Sequence, residues 1–216
     1  MNAYTEQPQV IEYFAKELSW LSFNERVLQE AKDKNNPIIE RIRFLGIFSN
    51  NLDEFFRVRV ADVKRRILLN KLPNANFEED EALLSQIQKK VLQLGKKFNL
   101  IHQQILNDLT AHNIHVDRPE ELTEFHLNWL KNYFHDNVLQ HISPILLDEN
   151  KDYSDYINDT MTYLFVEMSD EKSHFAMLEV PTDRVSRFII LPPEKTRRHK
   201  TIVMLDDVIL YFLNDV

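Results

Sequence analysis

The first residues that could do chemistry are two adjacent asparagines, Asn50 and Asn51, in the stretch RFLGIFSNNLDEFFRVRVADVKRR from Arg43 to Arg66. They separate two runs with apolar residues at helical spacing, and Gly46, one of only two glycines among 216 residues, stands just before them. A turn between two helices explains the pair without any ligand. Because an amide carries both a hydrogen-bond donor and an acceptor, a ligand contact at a helix start is the second interpretation.

Positive charge surrounds this asparagine pair. Eight cations and four anions lie between Pro37 and Lys71, although the whole chain has a formal net charge of −8. A local positive field attracts anionic ligands whatever the total charge. We expect Arg57, Lys64 and Arg65 to lie largely on one exposed helix face that guides a polyanion. A solvated face without a ligand is the alternative.

The composition excludes several kinds of site. Two glycines are too few for a P-loop or a G-x-G-x-x-G fingerprint, both of which need glycines where backbone approaches phosphate. The absence of cysteine excludes disulfides and thiolate metal sites and fits a reducing compartment. The eight histidines show no H-E-x-x-H or other recognised ligand spacing, so we expect no metal site and predict surface or partly packed histidines. No secretory signal is visible, and no apolar run approaches the roughly 18 residues that span a bilayer.

The first half of the chain is predicted to be helical. Ser22 and Glu25 have the spacing of a capping box and predict a helix start. Asn36 and Pro37 predict a second start, with the asparagine as N-cap, of a helix that ends near Phe48. The predicted buried face of that second helix comprises Ile38, Ile42 and Leu45.

Ser49 to Asn51 form the predicted break. Asn50 or Asn51 would cap the next helix, and Asp53 and Glu54 would lie in its first turn, where the helix dipole favours anions. The predicted buried face of this third helix comprises Leu52, Phe56, Val60, Val63 and Ile67. A loop, KLPNANFEEDE, follows.

Farther along the chain, apolar residues recur at alternating spacings of three and four. We call this set the seam: Leu84, Ile87, Val91, Leu94, Phe98, Ile101 and Ile105. The pattern is typical of coiled-coil packing, and it predicts one long helix at the centre of a helical bundle. An intermolecular coiled coil is the alternative.

The second half of the chain predicts strands as well as helices. NIHVD is a predicted strand, and a helix capped by Thr123 is predicted to end at Pro144. MTYLFVEM, HFAMLEV and RFIIL have the aromatic and β-branched character of strands, LPPEKTRRHK is a basic loop, and a short strand and a helix capped by Asp206 follow. The expected fold is a mainly α N-terminal helical bundle, residues 1–107, followed by an α+β domain, residues 108–216, without a clean C-terminal ending.

The block KELSWLSFNERVLQEAKDKNNPIIERIRFLGIFSNNLDEFFRVRVADVKRR closely resembles the beginning of bacterial polyphosphate kinases of the long, family-one type. The segments HISPILL, YLFVEM, LEVPTDRVSRFIILPPE and RRHKTIVMLDDVI resemble the second domain of that family, the head domain. The resemblance covers nearly the whole chain after Tyr13.

The resemblance implies an enzyme that reversibly transfers the terminal phosphate of ATP to polyphosphate through a phosphohistidine, with Mg²⁺ as cofactor. Members of the family are longer and carry C-terminal domains, similar to phospholipase D, that hold the phosphorylated histidine and the magnesium ligands. None of the eight histidines here matches those positions. The chain is therefore expected to be an N-terminal fragment, the helical domain and part of the head domain, that is inactive by itself and contains no catalytic residue.

One ATP contact of the family falls inside the chain. In the motif S-N-N-L-D-E-F the second asparagine, here Asn51, contacts the nucleotide base. An amide can pair with an adenine edge, and this contact needs no glycine-rich loop.

The resemblance also implies several partners and a location. ATP, ADP and polyphosphate are the expected ligands, and a homo-oligomer, either a dimer or a tetramer, is expected. The expected location is the cytoplasm, with peripheral attachment to the inner membrane as a second expectation. A non-catalytic helical dimerisation or adaptor module is the alternative function. Nucleic-acid binding is disfavoured by the acidic total charge and the absence of arrayed aromatic platforms.

Overall fold

The computed structural model describes residues 15–69, 77–168, 174–195 and 198–216. The chain divides into two compact units, Met1–Asp108 and Leu109–Val216. The helices of the first unit are α1 (Lys16–Lys32), α2 (Ile38–Phe55), a π-helical turn (Phe56–Val60), α3 (Ala61–Leu69) and α4 (Phe77–Thr110). The described part of this unit contains no strand, as expected for a helical bundle.

Helix α1 begins earlier than the capping box predicts. The prediction at Ser22 is wrong, because its hydroxyl donates to the Leu18 carbonyl at 3.0 Å inside a continuous helix. Leu21 and Leu28 are both buried in the core of the first unit, so the apolar face extends across the predicted start. Burial of that face outweighs a local cap, which typically contributes only about 1 kcal/mol.

The start of α2 is near the predicted position, but its cap is different. Pro37, not Asn36, occupies the N-cap position, and Asn36 instead donates to the Glu30 carbonyl at 2.9 Å at the end of α1. The predicted face of α2 is also partly wrong. Ile42 is exposed, whereas Arg41 is 3% exposed and donates to the Ala31 carbonyl at 2.9 Å and to Asp108 at 2.8 Å.

The seam is confirmed as the centre of the bundle. Ile87, Leu94, Ile101 and Ile105 of α4 are buried in one core with residues from the other three helices. The seam therefore belongs to the core of its own unit, which favours the bundle over the intermolecular coiled coil. The predicted loop KLPNANFEEDE lies outside the described residues up to position 76, and its last residues, from Phe77, belong to α4.

The second unit is an α+β unit. Its regular elements are β1 (Ile114–Val116), α5 (Glu124–Tyr133), β2 (Ile145–Leu147), β3 (Tyr163–Met168), β4 (His174–Glu179), β5 (Phe188–Ile190), β6 (Lys200–Met204) and α6 (Leu205–Tyr211). Short π and 3₁₀ turns extend α5 to His141, and Thr123 caps α5 as predicted, accepting from the His126 backbone N–H at 3.4 Å. Asn113 adopts a φ of 57°, a conformation that asparagine tolerates, where the chain turns from α4 into β1.

Two small sheets organise this unit. One has the order β1-β6-β5, with β1 parallel and β5 antiparallel to β6, and the other is the antiparallel set β2-β4-β3. Strand β2, which follows Pro144, was not predicted from the sequence. The predicted cap at Asp206 is wrong, because α6 begins at Leu205 with Met204 at the N-cap position. Part of the predicted basic loop, residues 196–197, lies outside the described residues.

Candidate functional site

The asparagine pair lies inside a helix, not at a helix start. Helix α2 runs without interruption from Ile38 to Phe55, so the predicted end near Phe48 and the predicted cap at Asn50 or Asn51 are wrong. An asparagine in a helix interior costs less than about 0.7 kcal/mol relative to alanine. Burying a phenylalanine stabilises the fold by about 1.5–3 kcal/mol, and Phe48 and Phe55 are both buried on the two sides of the pair. Packing therefore decides that the helix continues.

A second asparagine holds the side chain of Asn51. The Asn51 Nδ2 amide donates to Asn24 Oδ1 at 3.0 Å, and the Asn24 Nδ2 amide donates to the Phe48 carbonyl at 3.1 Å. Asn24 is 0% exposed, whereas Asn51 is half-buried. The two bonds form a short chain from the α2 backbone through α1 and back to α2. This chain fixes which end of the Asn51 amide is nitrogen and which is oxygen.

The orientation leaves polar atoms of Asn51 available. Among the described residues, its Oδ1 and the second N–H of its amide have no hydrogen-bond partner. One donor and one acceptor side by side match the edge of an adenine base, as asparagine does when it reads adenine in DNA. Asn50, in contrast, is exposed and makes no side-chain hydrogen bond among the described residues. Sequence reasoning selected Asn51 of the pair and missed Asn24, whose only signal was a polar residue on the mainly apolar buried face of α1.

A glycine is not required at position 46 for a close approach of the described protein atoms within this unit. A Cβ added there meets no atom within 4 Å, and its backbone is helical. Its position before the asparagine pair therefore marks no turn.

A π-helical turn follows α2 directly and shifts the buried face. After Phe48 and Phe55, regular α-helical spacing would place Arg59 in the core. The wider π turn instead brings Val60 into the core, with Val63 next. Phe56, predicted to be buried, is 42% exposed for the same reason.

The π turn also presents cations on the surface. Arg57, Arg59 and Arg65 line a shallow pocket of about 340 Å³ together with Val58, Ala61 and Asp62. Arg57 and Arg59 are exposed and have no ion-pair partner among the described residues, whereas Arg65 donates to Asp62 at 2.7 Å. Lys64 is exposed but does not line the pocket, so the structure groups only two of the three predicted cations. Arg59 was not predicted.

Acidic partners neutralise other cations of the positive segment. Arg43 pairs with Glu40 at 2.5 Å, and Arg66 pairs with Asp62 at 2.7 Å and with Asp80 at 2.9 Å. The hydrogen bond from Arg65 is the largest cause that lowers the pKa of the Asp62 carboxyl, which keeps it ionised. Among the described residues of this segment, the cations without an acidic partner are therefore Arg57 and Arg59 of the π turn and Lys64 of α3, while Lys71 lies outside the described residues.

The histidines are distributed over several environments. His135 lies 3.2 Å from Asp215 and His102 stacks on Phe98, which agrees with partly packed residues. The prediction fails for His126, which is 2% exposed, its Nε2 lying 3.0 Å from the Pro192 carbonyl. In the second unit, the rings of His115 and His199 stack with centroids 3.9 Å apart.

The helical unit and the α+β unit each correspond to a known domain family. Residues 13–116 match the family described as the polyphosphate kinase N-terminal domain, and residues 126–216 match the polyphosphate kinase middle domain. The chain belongs to the polyphosphate kinase family.

Individual relatives agree with this family assignment. The chain is 47% identical over 205 residues to a polyphosphate kinase of Vibrio vulnificus (strain YJ016) and 45% identical to one of Escherichia coli (strain K12). Each match covers 94% of this chain but only 29% and 30%, respectively, of the relative. A crystal structure of polyphosphate kinase from Porphyromonas gingivalis superimposes with a TM-score of 0.80 at 34% identity, over 95% of this chain and 31% of that one. The chain thus spans about 30% of the length of the polyphosphate kinases it matches. Among the described residues, no helix is long and apolar enough to cross a membrane.

Proposed function

We propose that this chain contributes nucleotide-base recognition to a polyphosphate kinase, which reversibly transfers the terminal phosphate of ATP to polyphosphate through a phosphohistidine. Asn51 is the proposed base contact. The phosphorylated histidine and the residues that handle the transferred phosphate belong to parts of such an enzyme that these 216 residues do not match. The 216 residues alone are therefore expected to bind ATP without synthesising polyphosphate.

The hydrogen-bond chain through Asn24 is the observation that carries this proposal. An amide that is free to rotate presents donor and acceptor in either order and discriminates poorly between bases. Since Asn51 Nδ2 is held at 3.0 Å from Asn24 Oδ1, the acceptor and donor are presented in one order. Preorganisation of this kind reduces the entropy that is lost when a ligand binds. An adenine edge that offers one acceptor and one donor fits the fixed amide.

The cations at the π turn are the second part of the proposal. Arg57 and Arg59 lack acidic partners among the described residues and share a pocket with Arg65. Guanidinium groups bind phosphate oxygens through paired N–H donors. We assign these three arginines to polyphosphate or to the phosphates of ATP, with electrostatic attraction as the dominant contribution.

Magnesium, which the family implies, does not fit the described residues. The one group of described side chains that could gather around an ion is His115, Asp117 and His199. Mg²⁺ prefers oxygen ligands and near-octahedral geometry, and two imidazoles do not supply them. No step of the reaction is therefore assigned to a magnesium site in this chain.

Saturation-transfer NMR of ATP with the 216-residue chain tests the base contact, because the method detects weak binding and reports which protons touch the protein. The adenine protons are expected to receive more saturation than the ribose protons. Asn51→Ala should abolish this preference, and Asn50→Ala, the same change one residue earlier at an exposed position, should retain it. In competition experiments, ATP should also compete for this site better than GTP does.

A wild-type adenine signal that survives in Asn51→Ala would refute the base contact. No adenine signal in the wild-type chain would refute it equally. Loss of the signal in both variants would show a general effect on α2, which circular dichroism of the two proteins would reveal independently.

Subunit association and location complete the proposal. A homo-oligomer is proposed, with a two-fold dimer as the simplest closed assembly. Because the seam is buried within its own unit, another surface must provide the contact. Light scattering of the purified chain over a range of concentrations tests association. We also propose a cytoplasmic location, because the resemblance to the family implies it.

A further inference from the structure

Three side chains from distant parts of the sequence meet on one face of the β1-β6-β5 sheet. His115 and Asp117 lie two residues apart at β1, and His199 immediately precedes β6. One ligand atom from each of these three residues lies within 4.8 Å of those from the other two. All three residues are partly buried.

The strand register explains why they converge. His115 is paired with Thr201 in the parallel β1–β6 ladder, so these two side chains point to the same face. Alternation along each strand places Asp117 beside His115, and His199 beside Thr201, on that face. Val203, two residues farther along β6, is 0% exposed and belongs to the core of this unit. The three polar side chains therefore lie at the edge of an apolar face.

The backbone holds both strands firmly at this point. The Lys200 N–H donates to the Asn113 carbonyl at 2.8 Å, and the Asp117 N–H donates to the Ile202 carbonyl at 3.0 Å. On the other side of β6, the Leu191 N–H donates to the Thr201 carbonyl at 2.9 Å. The three side chains are thus positioned by a sheet, which is a more rigid support than a loop.

The chemistry of the cluster calls for a cation. The two imidazole rings stack with centroids 3.9 Å apart, which brings a nitrogen of each ring close to the Asp117 carboxylate. Among the described residues, no ion pair is found for the partly buried Asp117 carboxylate, and a bound cation would supply a counter-charge. One divalent ion takes an imidazole nitrogen from each histidine and a carboxylate oxygen as ligands together.

One neighbouring hydroxyl supports this interpretation. Thr201 is 3% exposed, and its Oγ1 is buried without a hydrogen-bond partner among the described residues. Such an unsatisfied group requires an explanation, for which an ion or an ordered water is the usual one. Thr201 is the register partner of His115, on the same face of the sheet. A water bound to the ion at a fourth position would provide its partner.

We propose that His115, Asp117 and His199 form a binding site for a transition-metal ion, Zn²⁺ in the first instance, that clamps β1 to β6. Two imidazoles and one carboxylate are ligands that Zn²⁺ takes in four-coordinate sites, and they disfavour Mg²⁺ and Ca²⁺. Strand β1 is only three residues long, so a metal link between the two strands stabilises their pairing. This site is independent of the proposed nucleotide contact. Sequence spacing missed it because His199 lies more than eighty residues after His115.

Isothermal titration of the metal-free 216-residue chain with ZnCl₂ tests the site. We expect one Zn²⁺ per chain, and Co²⁺ should bind there with visible absorption bands that report its coordination. His115→Ala, His199→Ala and Asp117→Asn should each weaken Zn²⁺ binding at least about tenfold, the lower end of what even an outer-shell change costs at zinc sites. His112→Ala, an exposed histidine three residues from His115, is the matched control and should bind as the wild-type chain does.

Thermal unfolding followed by circular dichroism provides a second readout. Zn²⁺ should raise the unfolding midpoint of the wild-type chain and of His112→Ala, and leave that of Asp117→Asn nearly unchanged. Asp117→Asn keeps the shape of the side chain, so its folding in EDTA is expected to match the wild-type chain. Three results would overturn the proposal in favour of adventitious metal or a plain histidine–aspartate contact. They are no stoichiometric binding to the wild-type chain, wild-type Zn²⁺ affinity in the three ligand variants, or a loss of affinity in His112→Ala as large as in those variants.

Discussion

Asn51 on the second helix donates a hydrogen bond of 3.0 Å to Asn24, a fully buried residue on the first helix, 27 positions earlier in the chain. Asn24 in turn is fixed by its bond to the Phe48 carbonyl. The buried asparagine therefore sets the orientation of the half-exposed one. A buried polar side chain is costly unless its hydrogen bonds are made, and both ends of the Asn24 amide are bonded here.

Asn24→Ala should reduce the discrimination between ATP and GTP. The Asn51 amide would lose the only side-chain partner it has among the described residues and would rotate. One hydrogen bond contributes about 0.5–1.5 kcal/mol, so ATP affinity should fall about 2- to 10-fold. Ser22→Ala, which removes an exposed hydroxyl from the same helix, serves as control. Competitive titration with the two nucleotides measures the ratio. A loss of affinity with an unchanged ATP-to-GTP ratio would show that Asn24 acts on folding alone.

Truncation of Phe55 and of Phe56 to alanine is expected to change the free energy of unfolding by very different amounts. Phe55 is 1% exposed and stacks on Trp20 with ring centroids 4.9 Å apart, whereas Phe56 is 42% exposed. Phe55→Ala should lower the free energy of unfolding by about 3–5 kcal/mol, and Phe56→Ala by about 1 kcal/mol or less. Urea denaturation measures both. Equal losses would contradict the shift in helical phase that the π turn introduces.

Glu25 makes stability depend on pH in the acid range. Hydrogen bonds from Lys90 and then from Lys97 lower the pKa of its carboxyl below the ordinary value of 4.5. Because the pKa is lower in the folded state, the stabilisation is present above about pH 4.5 and is lost as the pH falls through the folded-state pKa. Glu25→Gln should therefore cost about 1–2 kcal/mol at pH 7, between the values for exposed and buried pairs, and much less at pH 3.

Urea midpoints measured from pH 7 to pH 3 test this difference. The exposed Glu30 lies on the same helix, and Glu30→Gln is the matched control, for which little change is expected at any pH in this range. A constant difference between wild type and Glu25→Gln across the range would mean that packing, and not charge, accounts for the effect.

Charge reversal at the π turn should weaken polyphosphate binding. Arg57→Glu and Arg59→Glu remove the two cations of the pocket that have no acidic partner among the described residues, so each should lower affinity and reduce its dependence on salt. Lys64→Glu makes the same change in net charge outside the pocket lining. The affinity of each of the three variants for a labelled polyphosphate is measured at several salt concentrations. An equal effect of all three would indicate a general field instead of a defined site.

The sequence predicted elements best where a repeating pattern extended over many residues. The seam predicted α4 and its buried face, and runs rich in aromatic and β-branched residues predicted β3, β4 and β5. Local signals were less reliable. The predicted caps Ser22, Asn36 and Asp206 do not cap the helices they were assigned to. The hydrogen bond of a cap contributes less free energy than the burial of an adjacent apolar face.

The sequence alone determined the family, the helical and α+β halves, and Asn51 as the residue to examine, because these rest on local pattern and on resemblance. Only the tertiary structure showed that α2 continues through the asparagine pair and that Asn24 holds Asn51. It also showed that Phe55, and not Phe56, lies in the core before the π turn. It alone also brought His115 and His199 together. The physical reason is the same in each case: hydrogen bonds and burial between residues far apart in the chain outweigh local preferences, and their partners cannot be read from spacing.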